Sequence, residues 1–97
     1  MQLKISGYTF AGPFESSDGL KNESAVYVVA TESGGDWQFL DCGAAWDVKS
    51  AIVGSDRRDC WERHAVGRIA FFVKYCEVRG RTMISEEIRR DHALPCD

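Results

Sequence analysis

Ile69-Ala70-Phe71-Phe72-Val73 is an unbroken apolar run, with no polar residue set between the hydrophobic ones. A strand with one wet face alternates with period two, so a run without alternation reads as a strand covered on both faces. Such a strand belongs at the centre of a sheet, and the remaining chain has to cover both of its sides. The 97 residues suffice for one modest core rather than two. The expectation is a single domain over 1–97.

Other segments supply the partners for that strand. Ala25 to Thr31 is rich in valine and tyrosine and reads as a strand. Ser33-Gly34-Gly35-Asp36 is a turn, and Trp37 to Cys42 returns as a second strand, giving a hairpin. Leu3, Ile5, Tyr8 and Phe10 predict an extra extended segment over 1–14, closed by the breakers Ala11-Gly12-Pro13. Glu15 to Glu23 is polar and reads as a loop with one helical turn.

Helices are expected after the hairpin. Asp47 is a candidate N-cap, Val48, Ala51 and Ile52 form one apolar face, and Gly54 ends the helix. Asp56 to Ala65 predicts a second short helix, with Trp61 packed beneath it. Thr82 to about His92 predicts a last helix that buries Ile84 and Ile88, with Pro95 beyond its end. The fold class is then α/β (α+β): a small central, mainly antiparallel sheet flanked by helices, with its core over 24–92.

The net charge of -3 argues against strong non-specific binding to nucleic acid. The charge is uneven, though. Residues 1–48 carry Lys4 and Lys21 against seven acids, whereas residues 49–97 carry ten Lys/Arg against eight acids. Arginines gather at 57, 58, 63 and 68 and again at 79, 81, 89 and 90, so a local phosphate-facing patch is one reading and a solvated mixed surface the other. The acidic first half and basic second half also permit head-to-tail association of copies. No apolar run nears the ~20 residues that a membrane-crossing helix needs, and no secretory signal opens the chain. A cytoplasmic protein with no membrane partner is expected, and with it free thiols at Cys42, Cys60, Cys76 and Cys96.

Two spacings bear on metal. Cys60-x-x-x-His64 and His92-x-x-x-Cys96 each set two zinc-competent ligands one helical turn apart, without a Cys-x-x-Cys knuckle. Buried thiols and surface histidines are the alternative. Trp37 and Trp46 are candidates for an exposed anchor at a partner surface, Trp46 the more so.

Ala25-Val26-Tyr27, Asp41-Cys42-Gly43, Asp47-Val48-Lys49-Ser50-Ala51-Ile52, Asp56-Arg57-Arg58-Asp59-Cys60-Trp61, Ser85-Glu86-Glu87-Ile88-Arg89 and Pro95-Cys96 follow one another in order. Together they resemble a GIY-YIG endonuclease domain of a small bacterial group, over nearly the whole chain. The resemblance implies Tyr27 as the tyrosine that orients the attacking water and Gly43 as the glycine of the second motif. It also implies a helix arginine to stabilise the phosphorane, a histidine, and one glutamate holding Mg²⁺ or Mn²⁺.

In this chain the arginine position reads Ala51 and the histidine position Ser55. The glutamate position reads Ser85 if Ile84 and Ile88 face the sheet, or Glu86 if the helix is slipped by one residue. Removing one electrostatic stabiliser of this kind costs about 10²–10³ in rate. The leading expectation is therefore a catalytically degenerate domain acting as a binding or regulatory module, without a cofactor. Its partner would be a protein, a second copy or nucleic acid, met through Gly43, Trp46, Arg57 or Arg58. The alternatives are a metal-dependent endonuclease using Tyr27, Arg57 or Arg58, and Glu86, and an interaction domain stapled by zinc at Cys60, His64, His92 and Cys96.

Overall fold

The computed structural model describes residues 2–97, the side chain of Val78 aside. Met1, part of the expected 1–14 segment, lies outside the described residues. Five strands form one sheet in the order β1-β2-β5-β3-β4, with every neighbouring pair antiparallel. They are β1 (Gln2–Ile5), β2 (Tyr8–Phe14), β3 (Ala25–Ser33), β4 (Asp36–Ala45) and β5 (Ile69–Tyr75). Three helices complete the α+β architecture: α1 (Val48–Val53), α2 (Arg58–His64) and α3 (Val78–Asp91).

The apolar run sits where its composition requires, on β5 in the middle of the sheet. Phe71 and Val73 face Val29, Val48, Ile52 and Trp61, on the side covered by α1 and α2. Phe72 faces Phe10, Val26, Val28, Ile84 and Ile88, on the side covered by α3. Both faces are therefore dry, which is why the run shows no alternation.

The N-terminal segment differs from its expected form. It is a hairpin of β1 and β2 that turns at Ser6-Gly7, where Ser6 has φ 52. A two-residue turn with both residues in the left-handed region matches the natural twist of its strands. Ala11-Gly12-Pro13 does not end the strand. β2 carries on through it with a register shift between Ala11 and Phe14, an irregularity that accommodates a proline.

The second hairpin forms as expected around Gly34 (φ 60) and Gly35 (φ 89), although β4 runs on to Ala45. The loop from Glu15 holds one 3₁₀ turn, Ser17–Gly19. Asp47 caps α1 by accepting the Ser50 N–H, and its carboxylate is held by the Asn22 amide at 3.0 Å. Gly54 is the C-cap. α3 begins four residues earlier than expected but does bury Ile84 and Ile88. Among the described residues, no helix is long and apolar enough to cross a membrane.

Candidate functional site

Tyr27 lies on β3 directly opposite Gly43 of β4. A Cβ at position 43 would stand 2.5 Å from the Tyr27 hydroxyl. The phenol therefore lies across β4 because residue 43 has no side chain.

Asp41 is fully buried two residues earlier on β4. Its Oδ1 accepts from Arg57 Nη1 and from the Cys42 N–H, each at 2.8 Å, and its Oδ2 accepts from Trp61 Nε1 at 2.9 Å. Burial pushes the Asp41 carboxyl above the ordinary carboxylate range, against the pull of Trp61, Arg57 and the Cys42 N–H. Arg57, in turn, is held more firmly protonated by Asp41.

A second guanidinium reaches the same place from α3. Arg89 donates from Nη2 to the Cys42 carbonyl at 3.3 Å and from Nε to both oxygens of Asp97 at 2.9 Å. Asp97 also lies 3.6 Å from Arg57. The Tyr27 hydroxyl thus feels the charge of two arginines, each matched by a carboxylate. Burial first and Asp41 second push its pKa above the ordinary tyrosine value, and Arg57 and Arg89 pull the other way.

Arg57, a candidate for contact with phosphate or a partner, is instead clamped by Asp41, which the chain buries within reach. In the sequence Asp41 stands out only as part of a motif, Arg89 only as part of a motif and a basic cluster, and Asp97 not at all. An acid inside Phe39-Leu40-Asp41-Cys42 is the one available signal, since a carboxylate amid apolar strand residues needs donors. Nothing in the spacing of Arg89 and Asp97 announces that they meet.

The remaining expected positions scatter. Ala51 is half-buried on α1, and the Ser55 hydroxyl accepts the Arg57 N–H at 3.1 Å. Ser85 is buried beneath α3 and donates to Thr82 of its own helix at 3.0 Å, while Glu86 is exposed on that helix. Asp41, Arg57, Cys42 and Arg89 are the charges that weigh most on the Tyr27 hydroxyl, and Glu86 is not one of these. Arg58 turns away, donating to the Ile52 carbonyl at the end of α1 and lying over the Trp61 ring. A cleft of about 330 Å³ opens beside it, bounded by Arg58, Trp61, Glu62, Glu15, Ser16 and Phe71. Tyr27 does not line it.

Trp46 is 73% exposed, with the Arg81 guanidinium 4.5 Å from its ring centre. Trp37 is different, packing edge-on against Phe72 at 5.2 Å.

The cysteines depart from expectation. Cys60 and Cys96 form a disulfide, with Cα atoms 5.8 Å apart, and Cys42 and Cys76 are free. The pairing arises because the C-terminal tail folds back along β4, where the Cys96 N–H donates to the Leu40 carbonyl at 2.9 Å. Ligand atoms of Cys60, His64 and Cys96 all lie within 4.8 Å of one another. His92, the fourth expected zinc ligand, instead packs edge-on against Phe39 at 5.0 Å.

Against protein-family models, curated proteins and solved structures, the chain gives no significant match.

Proposed function

We propose that this chain is a catalytically degenerate GIY-YIG-like domain that serves as a binding or regulatory module for a protein or nucleic-acid partner. The observation that carries the reading is the state of Asp41, the carboxylate whose charge weighs on Tyr27. Both oxygens of Asp41 are occupied by Arg57, Trp61 and the Cys42 N–H, and the residue is fully buried. A divalent cation needs open oxygen ligands, and neither oxygen is open. Ser85 offers a hydroxyl already committed to its own helix, and Glu86 faces solvent. Tyr27 itself is held in its protonated form, so it is a poor base for water.

Trp46 supports the binding half of the reading. A tryptophan left 73% exposed beside a partnered arginine is the kind of anchor that protein interfaces favour. Nucleic acid is the weaker partner class. Arg57, Arg68 and Arg89 are all paired with carboxylates, which lowers what they offer to phosphate.

Incubation with plasmid and single-stranded DNA in Mg²⁺ or Mn²⁺ tests the reading. No cleavage above a metal-only control is expected. Cleavage that disappears in Glu86→Ala would establish a working endonuclease in its place.

A further inference from the structure

We infer that Cys60, His64 and Cys96 form a redox-gated site for a thiophilic divalent cation: the reduced chain binds zinc there, and the oxidised chain closes the disulfide instead. The inference does not depend on the nuclease-like reading.

Two thiolates and an imidazole are a soft set of sulfur and nitrogen donors, the kind that selects Zn²⁺ among common divalent ions. Cys60 and His64 are separated by one turn of α2 and so share a face of it. Cys96 comes from the tail, and its position does not rest on the disulfide alone. Its N–H is bonded to the Leu40 carbonyl, and the next residue, Asp97, is gripped by Arg89 and lies beside Arg57. These contacts keep Cys96 beside α2 after the sulfur–sulfur bond is broken.

Two sulfurs bound at about 2.3 Å to one tetrahedral ion stand about 3.8 Å apart. Side-chain rotation from a Cα separation of 5.8 Å reaches that spacing without moving the backbone. Three protein ligands leave the fourth zinc position to water or to an outside donor.

The two states exclude each other because they use the same sulfurs. A phosphine reductant takes two electrons' worth of oxidation upon itself, leaving as the phosphine oxide with the oxygen of one water. The two hydrogens of that water end on the Cys60 and Cys96 sulfurs. Zinc then displaces both protons, giving two zinc–thiolate bonds.

The test is an anaerobic titration of the full chain with Co²⁺, after reduction and removal of the phosphine, followed by Zn²⁺. The reduced chain is expected to take up one Co²⁺ with the visible bands of tetrahedral thiolate coordination, and Zn²⁺ to bleach them. The oxidised chain should show no such bands. Cys60→Ser and Cys96→Ser should abolish the bands, and Cys76→Ser should leave them unchanged. His64 is exposed, so His64→Ala keeps the fold, and it should weaken binding on the order of 100-fold, one ligand's share of a structural zinc site. Bands that persist in the oxidised chain, or that ignore His64→Ala, overturn the proposal. So does a reduced wild-type chain that takes up no metal, whether it stays folded or not, since the proposal requires the tail to remain docked.

Discussion

Asp41 and Ser85 are both buried polar side chains, yet they lie on opposite faces of one sheet and meet the cost of burial differently. Under α1 and α2, Asp41 brings a charge into the core and gathers three donors, from β4 itself, from the start of α2 and from within α2. Under α3, Ser85 brings only a hydroxyl and gives it to a carbonyl one turn back on the same helix. The first arrangement ties separate elements together; the second ties a helix to itself. A buried carboxylate is tolerable only when such partners surround it, so the α1/α2 face depends on its polar cluster. The α3 face would hold without Ser85, since Ile84 and Ile88 carry its packing.

The sharpest way to break this comparison is to truncate each residue. Asp41→Ala leaves the Trp61 indole N–H and the Cys42 amide without acceptors in the core. A buried donor stranded in this way costs about 1–3 kcal/mol. Arg57 is 44% exposed and can rehydrate, so it adds little. Urea unfolding should therefore show a loss of roughly 2–4 kcal/mol for Asp41→Ala. Ser85→Ala gives up a bond within one helix turn and should cost less than about 1 kcal/mol. Equal losses would mean that the two faces are held in the same way.

The asymmetry also explains what the chain discloses before folding. The unalternating run at Ile69–Val73, the Gly34-Gly35 turn and the Asp47 cap are local chemistry, and each forms in its expected place. The Ser6-Gly7 turn was harder to read, because serine rarely adopts positive φ and the Gly12-Pro13 pair nearby is the stronger breaker. Arg57 is legible as a site residue. Its bond to Asp41 is not, since it joins residues 16 apart from different elements. The Cys60–Cys96 pairing spans 36 residues and follows from how the tail lies along β4. Contacts set by tertiary docking leave no periodic trace, and most of the candidate site consists of them.

A smaller effect separates the faces by titration. Tyr27 shares its face with Asp41, and burial followed by the Asp41 charge raises its pKa. The folded chain therefore holds that proton more tightly than the unfolded chain does. The stability this contributes is complete below the unfolded tyrosine pKa and is lost as pH rises through the folded one. Tyr27→Phe should remove this alkaline slope, so wild type should fall relative to the variant above about pH 10, the unfolded tyrosine pKa. Parallel stability curves for the two proteins would show that the phenol is not shielded from solvent.

The smallest expected signal comes from the α3 face, where Cys42 lies against the Ser85 carbonyl at 3.8 Å. Burial pushes its thiol up to about 11. At pH 8 only about one such thiol in a thousand is ionised, and the thiolate is the reactive form. Cys76 is also free but only half-buried. Iodoacetamide applied to the folded, oxidised chain should label Cys76 and leave Cys42 untouched, as peptide mass spectrometry would show, and both should react once the chain is unfolded. Labelling of Cys42 at the pace of Cys76 would mean that α3 opens from the sheet often enough to expose it. The face without a polar cluster would then be the looser of the two, although Ile84 and Ile88 pack it closely.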